Sequence, residues 1–249
     1  MNSLKKILLK RIEIQDKEGD KVFIFKKYYK YFKDFKGKSD FKFDLNYKKS
    51  PFFLLLYFDF YIREKIFPKI NDFLIFHASS ISNGKEAFLI GGRTKVGKSL
   101  LAFLISKNLF YLSDDISPLI IKNKFFSFPY PQPIKLHRDF KKYVDDEETI
   151  EDENFEEFFV FPKKIIKDNF FPLKCFIFPI PSKINKITLM DKKKAFLYLS
   201  AICINRKEYI KNKGLRDLVR IVEEVPFYKI FWKDIEFLYQ NGLEITQRF

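Results

Sequence analysis

A chain of 249 residues with a net charge of +15 and a pI near 9.5 is long enough for one sizeable core, or for a main domain with a small appendage. The lysines are scattered, with no Arg-rich helix and no interleaved basic and aromatic motif of the kind RNA-binding sheets carry, so a solvated basic surface is expected and a nucleic-acid site is not. Abundant Phe (33 residues), Lys, Ile and Asn beside only 8 Gly is the slant of an A+T-rich coding sequence, which weakens the lysines further as evidence of a ligand. Cys175 and Cys203 stand in apolar surroundings without C-x-x-C spacing; they read as buried, reduced thiols of a cytoplasmic protein and exclude a disulfide framework or zinc site.

At the N-terminus an apolar patch from Leu4 to Leu9 is cut off by Lys10 and Arg11, too short for a secretory signal. Residues 4 to 47 then alternate short apolar runs with lysines: Ile12 and Ile14, Val22 to Phe25 after the Gly19-Asp20 turn, and Phe41, Phe43 and Leu45 at period two. This pattern predicts a small antiparallel sheet or hairpin set. Ser50-Pro51 predicts a helix entry, with the helix running to about Ile66 and stopped by Pro68. Its apolar stretch, Phe52 to Ile62, carries Asp59 and falls short of the about 20 residues that span a bilayer.

A strand is expected over Phe73 to Ile81, turning at Asn83-Gly84 into a strand over residues 86 to 90, so that His77 lies on a strand paired with the next one. A helix over residues 98 to 107 precedes the apolar strand Leu109 to Leu112, which ends in Ser113-Asp114-Asp115. Leu119 to Ile121 and Phe125-Phe126 suggest a hairpin, and the alternate prolines of Phe128 to Leu136 impose an extended chain. The acidic run from Asp145 to Glu157 reads as a solvated face, or as a flap touching a basic partner or the chain's own lysines. Strands at Cys175 to Phe178 and Ile187 to Leu189, helices around Lys193 to Asn205 and Leu215 to Glu224, and the segment Phe227 to Trp232 complete the chain.

The stretch Gly92-Arg93-Thr94-Lys95-Val96-Gly97-Lys98-Ser99 satisfies G-x-x-x-x-G-K-[ST], with a strand before it and a helix after it. Its two glycines permit backbone conformations that turn successive N–H groups toward phosphate oxygens at a helix start, through Leu100. Lys98 supplies a point charge for the β- and γ-phosphates, and the Ser99 hydroxyl is suited to Mg²⁺. Two adjacent carboxylates, Asp114 and Asp115, follow at a strand end, where ligands of open α/β sheets bind.

The order His77, hairpin at Asn83-Gly84, Gly92 to Ser99, helix, Leu112-Ser113-Asp114-Asp115, then Phe128-Pro129-Tyr130-Pro131-Gln132-Pro133 resembles the HPr kinase/phosphorylase-like family, whose fold and phosphate loop are shared with phosphoenolpyruvate carboxykinase. The resemblance is strongest over residues 73 to 136. It implies an α/β fold with a mixed sheet over residues 71–249, preceded by a β-rich extension and helix over residues 1–70. It further implies ATP and Mg²⁺ as cofactors, Lys98 and Ser99 on the phosphates and metal, His77 beside the reacting phosphate, and one of Asp114 and Asp115 organising the metal while the other is general base or ligates a second metal with His77; the order taken is Asp114 in the metal shell and Asp115 as base, the reverse staying open. The chain departs from the family at Thr94 and Lys95, where a small residue and Gly are usual; Lys95 adds either an extra phosphate contact or bulk that weakens the site. The Gly-rich segment that HPr kinases carry after the acidic pair is not recognisable, so HPr itself is not implied as acceptor.

The expected activity is transfer of a γ-phosphoryl group to a hydroxyl of a peptide, protein or small molecule, with Lys135, Arg138 and Arg206 as candidates for an anionic acceptor. A nucleotide-dependent ATPase or switch, or a degenerate nucleotide binder, is the competing reading. Homo-oligomerisation is compatible with the chain, and no membrane span is expected.

Overall fold

The computed structural model describes residues 12–15, 41–44, 51–61, 63–64, 67–70, 72–145, 147–166 and 169–247. Strands β1 (Ile12–Gln15) and β2 (Phe41–Asp44) pair with each other in parallel, Ile12 opposite Phe41 and Gln15 opposite Asp44. The expected antiparallel arrangement is therefore corrected. Residues 16–40 separate the two strands, comfortably more than the dozen or so that a parallel crossover requires. The expected strand at Val22 to Phe25 lies outside the described residues.

Helix α1 (Pro51–Tyr61) ends before the predicted Ile66; Arg63 and Glu64 form a short π turn, and Pro68 sits inside a 3₁₀ turn at Phe67–Lys69. Phe52 and Leu55 of α1 pack with Ile150 and Phe159, which belong to a small three-stranded sheet of β9 (Ile134–His137), β10 (Thr149–Ile150) and β11 (Glu157–Val160). The acidic run wraps this small sheet and meets the chain's own lysines, Lys107 on Asp145, Lys141 on Glu151 and Lys135 on Glu157.

The main body is a nine-stranded mixed sheet. It comprises β3 (Leu74–Phe76), β4 (Ala78–Ser82), β5 (Ala87–Gly91), β6 (Phe110–Ser113), β7 (Ser117–Ile121), β8 (Phe125–Ser127), β12 (Phe171–Pro181), β13 (Lys186–Leu189) and β14 (Phe227–Trp232). The long strand β12 binds its two parts together: Phe171 and Pro172 pair with β8, while later residues pair in parallel with β5 on one side and β14 on the other.

One face of the sheet carries Phe76, Phe176, Phe178 and Phe227, with Phe176 stacked on Phe227 at 4.7 Å, beneath α3 (Lys192–Ile202) and α5 (Arg216–Glu224). The other face carries Phe88, Ile90, Ile177 and Ile230 beneath α2 (Lys98–Ser106) and α6 (Ile235–Gln247). Helix α2 is apolar nearly all round because it is sandwiched between the sheet, α6 and the cluster holding Ile134, Leu136 and Phe158. A Cβ on Gly242 of α6 would stand 2.6 Å from Leu101, so the missing side chain lets α6 lie against α2.

Two further features differ from the sequence expectation. The single strand predicted over Phe73 to Ile81 is broken at His77: β3 pairs with β7, whereas β4 pairs with β5 and β6. The helix predicted to Asn205 stops at Ile202 because the next residues take up β3's open edge. Cys203 bridges to Phe76, the Ile202 carbonyl accepts from His77 N–H at 2.7 Å, and Asn205 accepts from Ile75 N–H while donating to the carbonyls of Ile70 and Phe73. A further helix, α4 (Arg206–Lys213), follows. Both cysteines are buried with free thiols, and burial raises both above the ordinary thiol range. Among the described residues no helix is long and apolar enough to cross a membrane.

Candidate active site

Three chain segments reach one edge of the sheet because of strand direction alone. Strand β4 runs antiparallel to both β5 and β6, with Ala78 opposite Gly91 and Ser80 opposite Ser113. The start of β4 and the ends of β5 and β6 therefore share that edge. His77 precedes β4, the loop Gly92 to Ser99 follows β5, and Asp114-Asp115 follow β6.

The loop turns through left-handed backbone at Gly92 (φ 144), Lys95 (φ 63) and Gly97 (φ 99) before entering α2. Gly97 is the N-cap and offers no side chain, so no capping group occupies the first N–H groups of the helix. A Cβ on Gly92 would meet Val96 at 2.8 Å, and one on Gly97 would press the Trp232 ring at 3.1 Å. Trp232, at the end of β14, donates its indole N–H to the Val96 carbonyl at 3.2 Å and braces the loop from its far side. Lys98 is buried, with Nζ donating to the Arg93 carbonyl at 3.1 Å, which holds the ammonium over the loop. Arg93, Thr94 and Lys95 are exposed. The Leu100 side chain leaves the loop for the core beside Phe103 and Tyr111, so only its backbone belongs to the turn.

Asp114 and Asp115 are neighbours in sequence with opposed surroundings. Asp114 is 1% exposed, accepts from the Ser79 hydroxyl, and is also approached by the Ser99 hydroxyl and the Lys98 charge. Its main-chain carbonyl accepts from the Gln132 side-chain amide. Burial is the largest influence on its carboxyl, followed by the Asp115 charge; together they outweigh the three favourable partners and push the pKa up to about 6.

Asp115 stands in the left-handed region (φ 56). Its Oδ1 lies 3.1 Å from His77 Nε2, and Oδ2 lies 3.6 Å from the Arg63 guanidinium. Burial again acts upward and is the largest single influence, but the His77 hydrogen bond and charge, with Arg63 and Lys98, overcome it and hold this carboxyl well below the usual range. A layer of buried hydroxyls lies beneath the pair: Ser80 to Ser113 at 2.8 Å, Ser113 to Ser117 at 3.0 Å, and Ser117 donating to the Ala78 carbonyl.

A narrow cavity opens beside the carboxylates, walled by Leu55 of α1, Phe159 of β11, and Gln132, Pro133 and Lys135. Lys135 is thus brought to the site, its ammonium 3.5 Å from Glu157. The other two acceptor candidates are not brought there by any contact of theirs: Arg138 donates to the Asp152 carbonyl at 2.8 Å and Arg206 to the Ser200 carbonyl at 3.0 Å. Ser79, Arg63, Gln132 and Trp232 join the site without having been singled out by sequence. Ser79 carried a signal, since it lies two positions after His77 on the strand that precedes the loop strand, and Gln132 stands in the proline-rich segment that carries the family resemblance.

Among the described residues no group of three or more His, Cys, Asp or Glu side chains is placed to hold a metal by itself. A hydroxyl and a single buried carboxylate nevertheless fit Mg²⁺, which commonly takes one or two carboxylates and completes its shell with water and phosphate oxygens. The raised pKa of Asp114 marks a buried anion whose present partners do not fully balance it, as a cation would.

No family model and no curated protein matches the chain. Among solved structures, the chain is similar to the HPr(Ser) kinase/phosphatase from Coxiella burnetii, at 13% identity and a TM-score of 0.35, over 70% of this chain and 95% of that one. A likeness of that degree carries no argument about the chemistry.

Proposed function

We propose that this chain is an ATP- and Mg²⁺-dependent kinase that phosphorylates a hydroxyl group. The observation that carries the reading is the meeting, at one sheet edge, of the Gly92 to Ser99 loop with two carboxylates of opposite electrostatic character. The motif and its strand–loop–helix setting support phosphate binding by the uncapped start of α2 and by Lys98. Phosphoryl transfer asks the protein for positioning, neutralisation of charge and a group that receives the acceptor's proton. When bound, Mg²⁺ would supply neutralisation of the β/γ oxygens, held by Ser99 and Asp114.

The proton falls to the other carboxylate. Asp115 stays ionised at any physiological pH, and its hydrogen bond to His77 links it to a ring that can share the incoming proton. A carboxylate held so acidic is a weak base alone, so the His77–Asp115 pair acts as a unit, with Arg63 fixing the second oxygen. The narrow cavity walled by Leu55, Phe159 and Lys135 sits beside both carboxylates and is where the acceptor hydroxyl would approach Asp115. Lys135 is the cation there for an anionic acceptor; Arg138 and Arg206 are held by main-chain carbonyls.

The test is incubation with γ-labelled ATP, Mg²⁺ and a panel of serine peptides, hydroxy amino acids and polyols. Label on an acceptor, lost in Lys98→Ala, supports the kinase. Label released only to water assigns the chain as an ATPase, and nucleotide binding with no release assigns it as a non-hydrolysing binder. The left-handed backbone at Lys95 is the observation that favours this last reading, because the loop takes a glycine-like conformation on a bulkier residue.

A further inference from the structure

We propose that the free edge of β13, with the lysine-lined groove behind it, docks an acidic, extended polypeptide segment as an added strand. Among the described residues β13 pairs with β14 alone, so its outer edge offers a row of backbone donors and acceptors. A groove of about 420 Å³ lies along it, lined by Lys186, Thr188, Lys229, Phe231 and the start of α3. Lys186 and Lys229 alternate with Phe231 and Thr188 across the two strands, on one face. Lys194 is held by Asp191 at 3.1 Å and Lys229 rests over the Tyr198 ring at 4.8 Å, but neither Lys186 nor Lys229 meets a carboxylate among the described residues.

Lysines on a strand edge often serve only to prevent association. Here they accompany Ile184 at 60% and Leu189 at 66% exposure, and apolar side chains left open on an edge do the opposite. The combination selects a partner. A second copy of this chain, itself at a net charge of +15, would bring one basic edge against another, while a nucleic acid would satisfy the lysines and leave the strand edge unmatched. An acidic extended peptide answers both, its backbone continuing the ladder and its carboxylates meeting Lys186 and Lys229.

The edge also has a defined relation to the reacting groups. Strands β5, β12 and β14 are parallel, so the β12–β13 turn lies at the same sheet edge as the loop, where Ser182 N–H donates to the Trp232 carbonyl at 2.8 Å. Three strands separate β13 from β4, which places the edge about 19 Å from His77, or about six extended residues. As the docking site of an acceptor, this rests on the kinase reading; the binding itself is measured without nucleotide, so the two fail separately.

The probe is a fluorescent peptide of alternating glutamate and valine, titrated by anisotropy, with its N-methylated counterpart, a lysine–valine peptide and oligo-dT as comparisons. The proposal expects the acidic peptide to bind and its hydrogen-exchange footprint to fall on residues 184–189. It also expects affinity to drop about tenfold in K186E/K229E, with ATP binding unchanged, and to be lost on N-methylation. Equal binding by the N-methylated peptide, tighter binding by oligo-dT with the same dependence on Lys186 and Lys229, a chain that dimerises through this edge, or no binding at all would overturn it.

Discussion

Asp114 and Asp115 share a peptide bond and almost nothing else. Asp114 is closed off from water beside the Asp115 charge, and these draw its carboxyl toward the protonated form against the pull of the Ser79 and Ser99 hydroxyls; Asp115 is held between His77 and Arg63, which keep it in the charged form. The separation arises from their partners: the Ser79 hydroxyl on Asp114, and His77 and Arg63 on Asp115. In the proposed kinase two like groups would take two roles in this way, Asp114 holding a cation and Asp115 handling a proton.

The sharpest way to break the comparison is on the Asp115 side. Asp115→Asn keeps the side chain's shape and tolerates the positive φ, yet cannot receive a proton; phosphoryl transfer should fall by about 10³-fold in a single-turnover assay. Retention of normal turnover would remove Asp115 from the proton path.

The buried side is read through pH. Because Asp114 has its folded-state pKa raised from 3.8 to about 6, the native state keeps a proton that the unfolded chain releases. Its contribution to stability is therefore fully present below the ordinary value and is lost as pH rises toward about 6. Without metal or nucleotide, Asp114→Asn should be stabilised relative to wild type as pH rises across that window, by on the order of 1–3 kcal/mol. Thermal or urea denaturation of both proteins at the two ends of the window checks the sign.

Removing one holder of the buried carboxylate is a smaller perturbation. Ser79→Ala should weaken the Mg²⁺ dependence of nucleotide binding about tenfold while leaving metal-free nucleotide binding intact. Smaller still is the effect of relieving the loop. Lys95→Gly removes a left-handed cost of about 1 kcal/mol that the ligand-free loop already carries, so it should stabilise the fold by up to about that amount in urea denaturation and leave ATP affinity unchanged if Lys95 only burdens the turn. Weaker binding would show that the Lys95 charge contacts phosphate.

Much of this site could be read from local sequence. The loop, the turn at Asn83-Gly84 and the acidic pair are set by residues within a few positions of each other, where glycine conformations and strand-to-helix changes leave direct marks. What escaped reading depends on distant chain. His77 sits at a break because residues 202–205, more than a hundred positions later, hydrogen-bond β3 and pull the chain out of line with β4. Arg63 and Trp232 reach the site from elements that show no chemistry of their own, and the parallel pairing of β1 with β2 has no local signature. Helix α6 escaped notice although Leu238 and Ile245 recur at helical spacing, because Gly242, which allows its close approach to α2, interrupts the pattern.

The central claim is that the two carboxylates divide metal holding from proton transfer. Calorimetric titration of Mg·ATP into wild type, Asp114→Asn and Asp115→Asn measures that division directly. Asp115→Asn should bind as wild type does, while Asp114→Asn should lose its response to Mg²⁺. Equal loss in both variants, or no loss in either, would contradict it.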